Sequence, residues 1–176
     1  EGSTALMIAA LNDYASIVDK LIEAKAELNI QDNEGSTALM HAAFKGHVSV
    51  VIAALNDYAS IVDKLIEADK LIEAKAELKA ELNIQNETGY TALMLASSTA
   101  TSSRYHFSIV DKLIEAKANL DIQTKDGFTA LMKAASNGHL SVVDKLIEAK
   151  AELNFQTITG YTALMLASST ATSSRY

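Results

Sequence analysis

The 176-residue sequence has no cysteine, no proline and no tryptophan, and only 7 glycines. Without cysteine, neither a disulfide framework nor a thiolate metal site can form. That composition fits the cytosol, so an intracellular, cytoplasmic location is expected. No apolar run approaches the ~20 residues of a membrane span, and a membrane partner is excluded. The formal net charge is −7, from 15 Lys+Arg and 22 Asp+Glu, which would repel a phosphate backbone. No basic patch offsets it, because each Lys sits within a few residues of an acid, as on solvated helix faces. Nucleic acid is therefore excluded as a partner. The sequence starts at Glu1 with neither an initiator Met nor a signal-peptide pattern, which leaves open a fragment of a longer protein.

What is present favours helix. Apolar residues make up 49% of the chain, enough to bury a core at this length, and Ala, Leu, Ile, Lys and Glu dominate. One phrase recurs. DKLIEAKAEL stands at 19–28 and 144–153, and DKLIEAKA at 111–118. Gly2, Gly35, Gly89, Gly127 and Gly160 each precede Ser, Tyr or Phe and then Thr-Ala-Leu-Met, at intervals of 33, 54, 38 and 33 residues. Ser16–Asp19, Ser108–Asp111 and Ser141–Asp144 have the Ser-x-x-acid spacing of a helix N-cap. Ile17, Val18, Leu21 and Ile22 follow as an apolar helical stripe. Polar turns, DNEG, NETG, TKDG and TITG, precede the glycines.

A period near 33 with a turn and two helices marks ankyrin repeats. Residues 126–156, DGFTALMKAASNGHLSVVDKLIEAKAELNFQ, resemble that repeat throughout, and the resemblance covers nearly the whole chain. It implies an all-α solenoid of stacked helix-turn-helix units with projecting hairpin-like turns. Thr-Ala-Leu-Met replaces the family's common Thr-Pro-Leu-His, removing a buried histidine hydrogen bond, so more reliance on packing is expected. The expected units are 2–34, 35–88 with an inserted helical copy, 89–126 with a loop insertion, 127–159, and a partial 160–176.

The long unit is a duplication. Residues 52–68 copy 8–24, and 79–82 copy 75–78. A third copy, GYTALMLASSTATSSRY, stands at 89–105 and 160–176. Ser49 has no capping acid, because residue 52 is Ile, whereas the copied Ser60–Asp63 pair offers a capped start. One long helix from Ser60 to Leu82 is expected, with Ile61, Leu65 and Ile72 on one face and Leu71, Leu78 and Leu82 on a second stripe. That second stripe must pack near Val48–Leu55 or stay exposed.

No catalytic constellation is present. His47 and His139 lie in Gly-His turns and are expected to join helix end to helix start. His41 and His47, six apart across a glycine turn, have no standard ligand geometry. His106, in SSRYHF, is expected in a solvated loop. No G-x-S-x-G, HExxH or P-loop occurs, and the Ser/Thr run 97–103 reads as a polar loop. Met7, Met40, Met94, Met132 and Met165 recur with the period as core fillers. The chain is expected to be no enzyme and to need no cofactor or metal.

What remains is a binding surface. Solenoids expose an extended face whose framework is fixed while other positions vary. The position after Thr-Ala-Leu-Met varies, as Ile8, His41, Leu95, Lys133 and Leu166, and so do the turn tips. The resemblance implies a protein partner at such positions, and the expected contact residues are Asp32, Asn33, Glu34, His41, Phe44, Lys125, Asp126 and Lys133. The acidic tips point to a partner with a basic patch. Asp32 and Glu34 are expected to tolerate replacement by Lys without loss of stability. The alternative is a scaffold or self-assembling element, self-associating through its uncapped ends.

Overall fold

The computed structural model describes residues 2–67, 82–99 and 104–173, apart from the side chains of 58–67, 104 and 170–173. The described helices, in chain order, are α1 (Ala5–Leu11), α2 (Ala15–Glu23), α3 (Ala38–Lys45), α4 (Val48–Glu67), α5 (Ala92–Ser98), α6 (Arg104–Glu115), α7 (Ala130–Ser136), α8 (Leu140–Glu148) and α9 (Ala163–Ser173). They stack in two rows. α1, α3, α5, α7 and α9 pack in sequence along one row, and α2, α4, α6 and α8 along the other. Each second-row helix comes next in the chain after the first-row helix of its pair. No strand occurs among the described residues. This is an all-α repeat solenoid.

Thr-Ala-Leu-Met starts the first-row helices. The hydroxyls of Thr4, Thr37, Thr91 and Thr129 accept from the backbone N–H of Met7, Met40, Met94 and Met132 at 3.2–3.3 Å, satisfying an N–H that the first turn leaves without a partner. Leu and Met then point into the space between the rows, where Met7, Met40, Met94 and Met132 are at most 2% exposed. Met165 is not a core residue, at 51% exposed. Ala pairs such as Ala42–Ala43 and Ala134–Ala135 are buried, and their small side chains let adjacent helices approach closely. Burying a Leu or Met fully is worth roughly 1.5–3 kcal/mol, so most of the stability lies in this inter-row layer.

The serine caps expected in the second row do not form. Ser16 and Ser141 lie inside α2 and α8, whose N-cap positions are Tyr14 and His139 with no side-chain cap. Ser108 is well inside α6. For α2 and α8 the reason is backbone geometry: Asp13 and Gly138 have φ of +58° and +73°. A left-handed residue there turns the chain straight into the next helix, before the serine is reached.

The recurring phrase encodes a helix stop. Lys25, Lys117 and Lys150 have φ of +63°, +68° and +70°. At each, the lysine N–H bonds the carbonyl three residues back, and the next alanine N–H bonds the carbonyl five back, as in Ala118 to Leu113 at 3.0 Å. This is a Schellman ending with Lys in the place usually held by Gly.

α4 runs unbroken from Val48 to Glu67, so Ser60 is interior rather than a helix start. The expected continuation over 68–81, with Leu71, Ile72 and Leu78, lies outside the described residues. Leu82 is buried at 2% exposed. The 17-residue copies also differ in outcome. α5 stops at Ser98, with Thr99 extended at ψ 121°, whereas in the second copy α9 continues to Ser173.

Candidate functional site

The polar turns form a linked row along one edge. In each, an amide N–H bonds the carbonyl four residues on, as Asp32 to Ser36 at 3.0 Å and Thr124 to Phe128 at 2.9 Å. Successive turns join through Glu87 N–H to Glu34 O, Lys125 N–H to Thr88 O, and Ile158 N–H to Asp126 O, at 3.0–3.2 Å. Below them the glutamines of the Asn-Ile-Gln and Asp-Ile-Gln segments bridge neighbours. Gln85 Nε2 donates to Gly89 O at 2.7 Å and to Gln123 O at 3.0 Å, using both amide hydrogens. Gln31 and Gln123 do the same. The tips are therefore a rigid comb.

Asp32 belongs to that framework. Its Oδ1 accepts from the N–H groups of Glu34 and Ser36, each at 2.9 Å, and its Oδ2 lies 2.9 Å from His41 Nε2. Burial acts to raise its pKa, but the hydrogen bonds from Ser36, His41 and Glu34 outweigh it and hold the carboxyl below its ordinary 3.8. Asp32 thus ties its turn to α3 through His41. Replacing it with Lys would break three bonds, so the expectation that this side chain is dispensable for stability is corrected.

Asn33 and Glu34 are exposed at the same tip, and Lys125 and Asp126 are exposed two turns along. Phe44 is 48% exposed near the end of α3. Lys133, on α7, spans two rings, with Nζ 4.0 Å from the Phe128 centroid and 4.7 Å from that of Tyr90. Such cation–π contacts hold the ammonium over the turn base. Asp32 and His41 are thus brought together, while Lys133 sits in a second cluster, separated from α3 by α5.

Tyr90 and Phe128 were not among the expected contact residues. The aromatic after the glycine, in GYTALM and GFTALM against GSTALM, was the available signal. Tyr161, at the third such position, is 48% exposed, and Ile158 at its tip is 74% exposed.

The histidines bind neighbouring helix pairs together. His47 Nε2 lies 3.1 Å from Leu11 O, and His106 Nε2 lies 3.3 Å from Phe44 O. His139 bonds the Thr99 carbonyl. Their role is thus to bridge to the preceding pair as well as to join two helices. His106 is not in a solvated loop: it lies in α6, is 8% exposed, and its ring rests against Gly46. Aligning HFSIVDKL with HLSVVDKL places it at the Gly-His position.

Among the described residues no group of three or more His, Asp or Glu could hold a metal ion. None of the described helices is long and apolar enough to cross a membrane. The model of the family "Ankyrin repeats (3 copies)" matches residues 1–64 and 98–174. The chain belongs to the ankyrin-repeat family. Ankyrin repeats are generally non-enzymatic protein–protein interaction modules, and the two-row stack with its comb of turns is the architecture they share.

Proposed function

We propose that this ankyrin-repeat chain binds a protein partner through the turn tips and the exposed positions of the first-row helices, and that it has no catalytic activity. The array is taken as the units 2–34, 35–88, 89–126, 127–159 and 160–176. One observation carries the reading: the framework side chains are engaged within the stack, whereas Asn33, Glu34, Lys125 and Asp126 are exposed along one edge and Phe44 is exposed near the end of α3. Glu34, Glu87 and Asp126 occupy successive, backbone-linked tips, which favours a partner with a basic patch. His41 and Lys133 border that edge from the helix side.

The charge probe is Glu34→Lys with Asp126→Lys, since only backbone atoms of these residues hold the comb together. Capture of a partner from the source cell by the wild-type chain is expected to fall sharply with this variant, mainly through slower association. Melting temperature should stay within a degree or two. Normal capture by this variant, with loss on changing Lys20 and Glu23 in the second row, would overturn the reading.

Self-association is the second reading. The observation behind it is the apolar surface at the far end of the stack, where Leu140 is 71% and Leu164 77% exposed. Light scattering over a concentration series tests it: a strict monomer at ~100 μM removes it.

A further inference from the structure

Two basic side chains stand at the same place on first-row helices, and only one of them has an acid. His41 and Lys133 each follow Thr-Ala-Leu-Met, where the other first-row helices carry Ile8, Leu95 and Leu166. His41 is paired by its own turn: its Nε2 lies 2.9 Å from Oδ2 of Asp32, three residues before Gly35. The residue three before Gly127 is Thr124, and its hydroxyl accepts from the N–H of Phe128 at 3.1 Å. That position offers Lys133 no carboxylate. Asp126, the acid of the same turn, is exposed at the tip. Among the described residues no carboxylate lies within 4.0 Å of Lys133 Nζ.

Two rings hold the ammonium instead, Phe128 at 4.0 Å and Tyr90 at 4.7 Å. They stand on turns that the Lys125 N–H to Thr88 O bond joins, so they are fixed to the rigid comb. A ring face attracts a cation without neutralising it, and the ammonium keeps its N–H donors for an acceptor. The side chain is half-buried rather than covered. It is thus already ordered for an incoming group, which lowers the entropy lost on binding. A partner that laid only basic groups on this edge would meet an uncompensated positive charge here.

We propose that Lys133 binds a carboxylate of the protein partner, an Asp or Glu side chain set within its otherwise basic patch. This refines the partner reading above and rests on it. The contact repeats the pairing of His41 with Asp32, with the acid supplied from outside. A single ammonium matches a singly charged carboxylate. A doubly charged phosphate would be repelled more strongly by Asp126 on the same turn and by the net charge of −7. The partner surface therefore alternates in sign, basic toward Glu34 and Glu87 and acidic at Lys133. Charge order along the comb sets which partner fits and in which direction.

Zero-length cross-linking tests the contact. Immobilised wild-type chain captures its partner from the source cell, and the complex is treated with a water-soluble carbodiimide. The reagent activates a carboxylate as an O-acylisourea; an amine in contact attacks its carbonyl carbon, loses a proton and displaces a urea, leaving an amide bond. Peptide mapping should find Lys133 Nζ joined to an Asp or Glu of the partner, and Glu34 or Glu87 joined to partner lysines. Lys133→Glu should lower capture at least about tenfold, as two carboxylates are then opposed, while Lys133→Arg should stay within about threefold of wild type. If Lys133→Glu does not fold, Lys133→Gln takes its place with the same expected direction. Capture with Glu34 or Glu87 coupled to the partner, but Lys133 uncoupled or coupled only within its own chain, overturns this contact alone. So does a Lys133→Glu chain that captures as well as wild type or better, which would place a basic or neutral group over this position. Absence of any captured partner with the wild-type chain overturns this contact and the partner reading together.

Discussion

His106 rests on Gly46: a Cβ built on Gly46 would lie 2.9 Å from His106 Cε1 and 3.1 Å from Nε2. The two residues belong to adjacent helix pairs, so this glycine is needed for a reason beyond its own backbone. Its φ of +80° is left-handed, which costs an alanine about 1–2 kcal/mol. Gly138 shares that conformation, at +73°, but nothing lies within 4 Å of its added Cβ. Gly138→Ala should therefore lose only the backbone cost. Gly46→Ala should lose about 1–3 kcal/mol more, the range for overpacking a tight contact. Urea denaturation of the two variants gives the difference; equal losses would show that the imidazole yields without cost.

Lys117 is a left-handed residue, φ +68°, at a position where glycine is the usual choice. Its side chain is exposed, so little packing is lost on removing it. Lys117→Gly should relieve the left-handed penalty of about 1 kcal/mol, partly offset by the extra freedom of glycine in the unfolded chain. The expected result is a gain of a few tenths to 1 kcal/mol in thermal or urea unfolding. Lys112→Gly, inside α6, is the opposite control and should lose about 1 kcal/mol. A loss at Lys117 comparable to that at Lys112 would mean that its ammonium makes a contribution larger than the strain.

The period of the chain and its two helices per unit were legible because glycine, Thr-Ala-Leu-Met and DKLIEAKA recur in fixed order. The core methionines followed from the same register. The caps were misassigned for a physical reason. A Ser-x-x-Asp spacing is a local rule, but the turn before it, with Asp13 or Gly138 left-handed, starts α2 and α8 earlier. The capping threonines were in plain view as part of the repeated motif. Asp32 read as a free acid because its sequence neighbours are polar; only the fold brings the ring of His41 within 2.9 Å of it. Identical 17-residue copies ending in helices of different length mark the limit of local sequence, since context alone separates them.

His139 gives the chain an acid-sensitive joint. Burial lowers its pKa below the ordinary 6.5; the bond to the Thr99 carbonyl acts to raise it, and the charge of His106 lowers it further. The neutral ring is thus favoured in the folded state, while the unfolded chain takes up a proton at the ordinary pKa. The unfolded state binds more protons between the two values, so stability must fall as pH falls. The contribution is complete above pH ~6.5 and is lost progressively below it. Nε2 of His139 is buried without a hydrogen-bond partner, as is Nδ1 of His106 on α6. Melting temperature measured from pH 7.5 to 5.0 should therefore drop more steeply for the wild type than for His139→Gln, which cannot take up the proton. The two curves should run closest together in slope above pH 7 and diverge below pH 6.5. Parallel curves over the whole range would place the acid sensitivity at another histidine.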